Sequence, residues 1–260
     1  MKVCIGTVIK NEHEYLEDWL KYNINLGVDK IYIVEDINSK SHKEIIEKYP
    51  GIVEIFEIKD TEKDFSNERT YGQQYCHKKI FEHVKNLGMY DWLFLIDIDE
   101  YITITEKKTL KDMLSEYSDY PELILYWKNF GANGHVEKPD YSKVESYREY
   151  YTKECDYTNF DKKYTHIMKK GINLNKISDK YRLSLHYHTT GRYTKSNFKQ
   201  GIHTPCFDRI YLSHYITKSF EEYKWKLLTR GLFSVGYRFV DDFFEMNKDM
   251  LPLKEKLLNA

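Results

Sequence analysis

Apolar and polar positions alternate along the first hundred residues in blocks that predict strands and helices in turn. Short apolar runs rich in Val and Ile predict buried strands, and stretches with apolar residues three or four apart predict helices. The predicted strands are VCIGTVI, DKIYIVED, IVEIFEI and WLFLIDIDE, and the helices between them are NEHEYLEDWLKYNINLG, SHKEIIEKYP and ERTYGQQYCHKKIFEHVKNLG. This alternation is typical of an α/β fold with a mainly parallel, Rossmann-like sheet flanked by helices.

The pattern changes after residue 121. ELILYWKNFG predicts another strand that leads into the glycine-containing loop FGANGH, and residues 137–200 are polar, rich in Tyr and Lys, and without clear periodicity. We expect short strands and long loops there. KSFEEYKWKLLTRGLF predicts a helix, and VDDFFEMNKDMLPLKEKLLNA predicts one or two more. We therefore predict a main domain over residues 1–230 and a C-terminal helical extension over residues 231–260 packed on it.

Acidic residues follow the second and fourth predicted strands. Asp36 ends DKIYIVED, and Asp97, Asp99 and Glu100 end WLFLIDIDE. Carboxylates in an apolar interior need a cationic partner, and open parallel sheets bind ligands outside the carboxyl ends of their strands. Asp97 and Asp99 fall on the same side of an extended chain. They predict a site for a hard divalent ion, Mn²⁺ or Mg²⁺, which commonly keeps phosphates as further ligands. A solvated surface pair is the alternative.

Charge is uneven along the chain although the formal net charge is only -1. That net charge gives no argument for nucleic acid, and we expect no nucleic-acid partner. Residues 1–120 carry 16 Lys and Arg against 24 Asp and Glu, whereas residues 151–230 carry 16 against 7. Such an asymmetry suits a metal on one side and an anionic ligand on the other. Simple attraction between the two halves is the alternative.

Cysteine spacing and hydropathy predict the compartment. The cysteines are far apart and form no CxxC pair, which disfavours a disulfide framework or a structural zinc site; they are Cys4, Cys76, Cys155 and Cys206. The first predicted strand leaves no room for a signal peptide, and no apolar run is long enough to span a bilayer. We expect a cytoplasmic protein, with a peripheral contact at the inner face of the membrane as an alternative.

Four motifs occur in order and span most of residues 3–231, namely KNEHEYLEDWLKYNINLGVDKIYIVEDINS, DWLFLIDIDEYI, YWKNFGANGH and LSHYITKSFEEYKWKLLTRG. Taken together, they resemble the GT-A fold glycosyltransferases that use nucleotide sugars, and more closely the group of family 2-like and family 92 glycosyltransferases. The resemblance implies a GT-A-like fold and a metal-dependent hexosyltransferase. It implies transfer of a galactose- or glucose-type sugar from a UDP-sugar to a glycan or lipid-linked glycan, with inversion, in surface polysaccharide synthesis.

The resemblance also implies roles for single residues. Asp97 and Asp99 match the metal motif, with a contact between Asp97 and the ribose as the alternative. Asp36 matches an acid that faces the nucleobase or ribose, and the loop after the first strand lines the same pocket. The implied nucleotide-sugar-binding residues are Thr7, Lys10, Asn11, Glu12, Asp36, Asp97, Lys218 and Arg230.

His214 matches a late histidine that completes the metal shell in such enzymes, and a neutral imidazole is a good ligand for Mn²⁺. Lys218 follows four residues later, so a helical turn would place both on one face. His188, in HYH, is a rival third ligand. A hydrogen-bonded structural histidine is the alternative for His214.

The loop WKNFGANGH is the candidate for acceptor recognition. Glycines let the backbone approach a sugar closely, and aromatic rings offer faces on which a pyranose stacks. The alternative is that the rings belong to the core. The candidate residues are Trp127, Phe130, Gly131, Gly134 and His135.

An inverting enzyme also needs a base to take the proton of the acceptor hydroxyl. The candidates at the acceptor loop are Glu137, Asp140 and His135, and Glu100 lies beside the metal motif. Glu100 could equally order the metal's outer shell or form a salt bridge, and a retaining mechanism would make the search for this base moot.

Two other functions compete with sugar transfer. A nucleotidyltransferase would also use paired aspartates, but it typically needs a glycine-rich, basic loop for a triphosphate. GTVIKNEHE contains one Gly and one Lys, which counts against it. The other is a non-catalytic carbohydrate-binding module.

Overall fold

A computed structural model describes residues 1–36, 39–57, 72–155, 168–183, 207–230 and 240–258. Strands and helices alternate in the first part of the chain, as predicted. In chain order they are β1 (Val3–Ile9), α1 (His13–Asn25), β2 (Lys30–Glu35), α2 (Lys43–Ile46), β3 (Val53–Ile55), α3 (Gly72–Leu87), β4 (Trp92–Leu95), β5 (Glu100–Ile104) and α4 (Leu110–Glu116).

The later part of the chain adds further strands and helices. They are β6 (Glu122–Asn129), β7 (Met168–Asn173), β8 (Ile210–His214), α5 (Phe220–Arg230), α6 (Val240–Met246) and α7 (Lys254–Leu258), with short 3₁₀ segments at Tyr141–Lys143, Tyr147–Tyr150 and Lys248–Leu253. None of the helices within the described ranges combines the length and hydropathy that crossing a bilayer requires.

The chain divides into two compact units. Unit 1 comprises residues 1–127 and 166–212, and unit 2 comprises residues 128–165 and 213–260. The division at residue 230 that the sequence suggests stays a prediction.

The described strands form one sheet in the order β3-β2-β1-β4-β7-β6-β8-β5. β1 pairs in parallel with β2 and β4, and β2 pairs in parallel with β3. β7 is antiparallel to both β4 and β6. The predicted α/β class, with a parallel sheet flanked by helices, is confirmed, and the sheet also contains this antiparallel part.

Both faces of β1 are buried, which is why its sequence is an almost continuous apolar run. On one face, Gly6 allows α3 to pack closely, because a Cβ at this position would lie 2.6 Å from Cγ2 of Ile80. The cluster on this face includes Cys4, Tyr32, Val34, Ile80, Val84, Leu93 and Leu95. On the other face, Val3, Ile5 and Ile9 are equally buried.

Three neighbouring parallel strands end at the same edge of the sheet. β1 ends at Ile9, β2 at Glu35 and β4 at Leu95. Residues 10–12, 36 and 96–99 follow these ends, so the fold brings them to one edge of unit 1. Open α/β sheets bind their ligands at this edge.

Unit 2 has its own core, in which α5 packs against α6. The ring of Phe220 lies 5.0 Å from that of Phe243 and 5.4 Å from that of Phe244, measured between centroids. Helix α5 begins with a capping box, because the Glu222 amide donates to Ser219 Oγ and the Ser219 amide donates to the Glu222 carboxylate. The rest of the cluster includes Ala132, Cys155, Ile216, Tyr223, Met246 and Met250.

Gly171 gives a test of the packing between β4 and β7. It pairs with Phe94 across the two strands, and a Cβ at Gly171 would lie 2.7 Å from Cζ of the buried Phe94 ring. We expect Gly171→Ala to lower the free energy of unfolding by about 1–3 kcal/mol, because the ring must move within a packed core. Urea denaturation measures the change.

Gly72→Ala is the matched control. Apart from its chain neighbours and its own helix backbone, no atom of the described residues lies within 4 Å of a Cβ at Gly72, which begins α3. The control should be as stable as the wild type or slightly more stable. Equal stability of both variants would contradict the close packing at Gly171.

Candidate functional site

Asp97 and Asp99 lie in the short turn between β4 and β5, at the edge where the parallel strands end. Ile96 and Ile98 are buried, whereas Asp97 and Asp99 are half-buried. The turn therefore keeps its apolar side chains in the core while its two aspartates remain partly accessible to water. The extended chain predicted for Asp97 and Asp99 is wrong, because β4 ends at Leu95 and the Glu100 amide donates to the Asp97 carbonyl across the turn.

Glu100 closes this turn from inside the protein. Its amide donates to the Asp97 carbonyl at 3.0 Å, and its Oε2 accepts a 2.9 Å hydrogen bond from the Asp97 amide. Its carbonyl accepts a 2.9 Å hydrogen bond from the Trp19 indole. The side chain is fully buried, and Oε1 has no hydrogen-bond partner among the described residues. Burial raises the pKa of Glu100, and the charge of the neighbouring Lys169 opposes this shift.

Lys169, on β7, supplies the positive charge next to these acids. Its Nζ lies 3.2 Å from Asp97 Oδ2 and 3.6 Å from Glu100 Oε2, and its side chain is only 1% exposed. Burial acts to lower the pKa of Lys169, but the carboxylates of Asp97 and Glu100 outweigh it and keep the pKa raised. The ammonium therefore stays charged in the protein interior.

The loop after β1 is tied to the segment after β2. Asn11 adopts a left-handed conformation with φ of 54°. Its amide donates to Ser39 Oγ at 2.9 Å, and its Oδ1 accepts a 3.0 Å hydrogen bond from the Lys40 amide. Lys10 Nζ lies 3.5 Å from Asp36 Oδ1. The structure thus brings together the predicted nucleotide-binding residues 10–12 and Asp36, while Thr7 lies buried within β1.

His42 is the buried anchor of this loop. Its Nε2 accepts a 2.9 Å hydrogen bond from the Glu12 amide, so its Nδ1 carries the proton and donates to Glu35 Oε1 at 2.8 Å. The ring of His13 stacks on it at 3.8 Å. Burial lowers the pKa of His42, and the Glu35 carboxylate opposes this shift. The hydrogen bond from Glu12 requires the neutral imidazole.

The edge site fits a hard divalent cation by the chemistry of its donors. Asp97 and Asp99 offer carboxylate oxygens, and Mg²⁺ is commonly held by one or two carboxylates together with phosphate oxygens and water. No group of three or more His, Cys, Asp or Glu side chains is placed to hold a metal ion within the described ranges. Two protein carboxylates are compatible with an ion whose remaining ligands come from a diphosphate.

His214 lies in unit 2, at the end of β8. Its Nδ1 donates to Asn129 Oδ1 at 2.8 Å, so the lone pair of the neutral ring is on Nε2. In metal-bound histidines the ring nitrogen that does not bind the metal typically donates a hydrogen bond of this kind, which fixes the tautomer and the ring orientation. His214 stays a predicted ligand. His188, its rival, lies outside the described residues.

The predicted acceptor loop packs within unit 2 around Phe130 and His135. The Phe130 ring stacks on Tyr215 at 5.1 Å, and the Phe130 amide donates to the His214 carbonyl at 2.8 Å. The His135 carbonyl accepts a hydrogen bond from the Phe220 amide at 3.1 Å.

The two glycines of this loop differ in environment. Gly131 packs against Asn247, and the exposed Gly134 has a positive φ of 82°. Trp127, the last residue of the first segment of unit 1, is half-buried.

The base candidates differ in their surroundings. Glu137 is exposed, whereas Glu100 is enclosed in the turn described above. Asp140 caps the segment Tyr141–Lys143, where its Oδ1 accepts hydrogen bonds from the amide and hydroxyl of Ser142. These hydrogen bonds lower the pKa of Asp140. Glu137 and Asp140 are both exposed, so these two carboxylates, and not Glu100, are accessible to an acceptor.

Lys218 precedes α5 and has a left-handed φ of 53°. The prediction that a helical turn connects it with His214 is wrong, because β8 ends at His214 and α5 begins only at Phe220. The buried Lys218 ammonium lies 5.5 Å from the centroid of the Tyr147 ring. Arg230 ends α5, and its side chain lies outside the described residues.

Sequence reasoning missed Lys169 and His42. Lys169 sits in MKKGIN, a polar stretch of the region without clear periodicity, and only the pairing of β7 with β4 brings it to the acids. His42 follows a loop and precedes a four-residue helix. Its position shortly after the strand-end acid Glu35 in the sequence offered a weak signal, since a histidine near a carboxylate is often paired with it.

The fold and the site together combine an α/β sheet with a carboxylate pair at the edge where its parallel strands end. The sequence pattern of glycosyltransferase family 92 matches residues 1–230. The chain belongs to glycosyltransferase family 92.

Named relatives agree with this assignment. A glycosyltransferase family 92 protein from Oryza sativa subsp. japonica is 25% identical over 142 residues, which cover 53% of this chain and 23% of the relative. A family 92 protein from Ricinus communis is 23% identical over 137 residues, with coverage of 51% and 23%. The chain thus spans about a quarter of the length of these relatives.

A mannosyltransferase structure, Ktr4p from S. cerevisiae, is also similar to this chain. It has a TM-score of 0.33 and 15% identity, and the match covers 67% of this chain and 56% of that one.

The buried His42 predicts a pH-dependent stability. Its pKa is lower in the folded protein than the unfolded value of about 6.5. Its stabilising contribution is therefore complete above pH of about 6.5 and is lost as the pH falls below that value, because the unfolded chain binds the proton more tightly. We expect the free energy of unfolding to decrease between pH 7.5 and 5.5, as chemical denaturation would measure.

His42→Gln is the comparison, because it removes the titrating ring. The variant should be less stable at pH 7.5, since it loses the ring's buried contacts, but its stability should fall less on acidification. The same loss between the two pH values in both proteins would contradict this role.

Proposed function

We propose that the protein is a metal-dependent glycosyltransferase that moves a galactose- or glucose-type hexose from a UDP-sugar to a hydroxyl of a glycan or lipid-linked glycan. The proposal includes inversion at the anomeric carbon and a role in surface polysaccharide synthesis. It places the protein in the cytoplasm, with a peripheral membrane contact as an alternative. The observation that carries it is the partly exposed pair Asp97 and Asp99 at the edge where residues 10–12 and Asp36 also lie.

Asp97 and Asp99 would hold Mn²⁺ or Mg²⁺, and His214 is the further predicted ligand. Such an ion, when bound, offsets the negative charge on the leaving diphosphate. Lys218 and Arg230 are the cationic side chains that we assign to the diphosphate oxygens. The left-handed backbone of Lys218 supports this assignment, because strained conformations of non-glycine residues cluster at ligand sites.

The nucleoside part of the donor would lie against the ends of β1 and β2. Asp36 is half-buried and forms an ion pair with Lys10. The loop of residues 10–12 is held by hydrogen bonds to Ser39 and His42. A loop fixed in this way would need little reordering when the nucleotide binds, which favours tight binding.

The acceptor would bind to the loop of residues 127–135. The half-buried rings of Trp127 and Phe130 offer apolar surface for a pyranose, and Gly134 exposes its backbone. Glu137 is our choice for the base, because a base must reach the acceptor hydroxyl. Glu100 is fully enclosed and forms the salt bridge that was its alternative role, since Lys169 Nζ lies 3.6 Å from its Oε2.

The metal role of Asp99 can be tested by Asp99→Asn. We expect turnover to fall by about a hundredfold or more, because the charge that stabilises the leaving group would be lost with the cation. Mn²⁺-dependent binding of UDP should be lost as well. Turnover is measured with radiolabelled donor, and binding by calorimetry.

The control is Asp119→Asn, which changes an exposed aspartate whose partner is Lys176 at 3.4 Å. It should behave as the wild type does, since exposed ion pairs contribute little. Wild-type turnover in Asp99→Asn would refute the assignment of the metal motif.

The donor can be identified by thermal denaturation with a set of nucleotide sugars, each with and without Mn²⁺. A ligand that binds only the folded protein raises the melting temperature. We expect the largest rise with a UDP-hexose, and only when Mn²⁺ is present. Equal stabilisation without the metal would contradict metal dependence, and stabilisation by a nucleoside triphosphate alone would favour a nucleotidyltransferase.

A further inference from the structure

The Asp97 carboxylate is held from two sides. Its Oδ1 accepts a 2.7 Å hydrogen bond from Gln73 Nε2 on α3, and its Oδ2 accepts one from Lys169 Nζ at 3.2 Å. The Lys169 side chain is 1% exposed, whereas that of Asp97 is 28% exposed. Asp97 is therefore anchored from the interior by a charge and from the surface by an amide.

Lys169 also contacts the other end of the turn. Its Nζ lies 3.6 Å from Glu100 Oε2, the same oxygen that accepts the Asp97 amide hydrogen bond at 2.9 Å. The ammonium, the Glu100 carboxylate and the amide and carboxylate of Asp97 thus form one closed network. Both the backbone and the side chain of the first aspartate of the motif depend on it.

The burial of Lys169 excludes a direct contact with substrate. Its position is set by β7, which pairs with β4 on one side and β6 on the other. Within this register Gly171 lies opposite Phe94, and Lys169 lies opposite Leu125. Any effect of Lys169 on the reaction must therefore pass through the acids that it contacts.

We propose that Lys169 is a positioning residue that holds Asp97 and the turn up to Asp99 in the arrangement that binds the divalent cation. This inference rests on the proposed metal-dependent function. It adds that the geometry of the motif is fixed by a cation built into the fold, so that the two aspartates are arranged before the metal and the nucleotide arrive.

The direction in which metal affinity changes when the Lys169 charge is removed distinguishes a positioning role from a simple electrostatic effect. Loss of the positive charge at Lys169 would, by itself, attract a divalent cation more strongly to the neighbouring carboxylates. Loss of positioning would weaken metal binding, because Asp97 would keep Gln73 but lose the cation that holds it next to the other acids. The inference therefore requires weaker metal binding when the charge is removed.

Lys170 provides a matched control on the same strand. Its Nζ lies 2.9 Å from Glu122 Oε1, and the two side chains are 6% and 7% exposed. Side chains alternate along a strand, so Lys170 and Lys169 point to opposite faces of the sheet. Lys170→Met thus disrupts a buried ion pair of the same kind without touching the turn.

The test is a titration of Mn²⁺, followed by electron paramagnetic resonance, in the presence of saturating UDP. Lys169→Met should raise the dissociation constant of Mn²⁺ by about tenfold to a hundredfold, as loss of an outer-shell partner does elsewhere. Lys170→Met should remain within about twofold of the wild type. Circular dichroism establishes that each variant is folded.

A second variant avoids leaving Glu100 as an uncompensated buried charge. Lys169→Met combined with Glu100→Gln removes both charges of the pair, and it is compared with Glu100→Gln alone. The double variant should bind Mn²⁺ about tenfold or more weakly than the single one.

Each remaining outcome has a defined meaning. Unchanged or tighter Mn²⁺ binding in both Lys169 variants would overturn the positioning role while leaving the proposed function intact. Equal weakening in Lys170→Met, or failure of both Lys169 variants to fold, would show a general structural role and overturn the inference. Absence of Mn²⁺ binding by the wild type would overturn the metal-dependent function and, with it, the inference.

Discussion

Burial of β1 on both faces is the constraint that determines where this protein can do chemistry. A strand enclosed between α3 on one face and further apolar residues on the other has no place for a charged side chain. Charged side chains are therefore excluded from the interior of β1, and the acids of this region lie where β1, β2 and β4 end. Because these strands are parallel and adjacent, their ends meet at one edge, and the loop of residues 10–12, Asp36 and the turn with Asp97 and Asp99 are brought together.

The same constraint explains the two anchors under that edge. Glu100 and Lys169 are both buried, and neither charge would be stable there without the other. His42 is buried next to Glu35 and remains neutral, because burial of its ring lowers the pKa. One anchor fixes the turn after β4 and the other fixes the loop after β1. Both partly exposed loops of the edge thus rest on interior polar groups, which limits their motion without occupying the surface.

The sequence was sufficient for the α/β class and for the order of the first four strands, because apolar runs are local signals. It did not predict where the fourth strand ends, since WLFLIDIDE continues as an apolar-rich run through the turn that follows Leu95. The sequence also predicts that Asp36, Asp97 and Asp99 lie at the same edge of the sheet, because this placement follows from the order of the parallel strands alone. Lys169 could not be predicted, because its role depends on the antiparallel pairing of β7 with β4, a contact between residues far apart in the chain. The prediction of a helical turn between His214 and Lys218 is wrong, because spacing alone does not reveal the left-handed backbone of Lys218.

That left-handed conformation costs about 1–3 kcal/mol for a residue other than glycine, so neighbouring contacts must maintain it. The contacts in unit 2 converge on Glu222. Its carboxylate accepts hydrogen bonds from the hydroxyls of Tyr141 and Tyr151 and from the Ser219 amide. Ser219 directly follows Lys218 and caps α5, so the capping box fixes the backbone on the carboxyl side of the strained residue. The Glu222 carboxylate is therefore linked through the Ser219 cap to the strained backbone of Lys218, so the conformation of the cation that we assign to the diphosphate depends on a carboxylate that need not contact the donor.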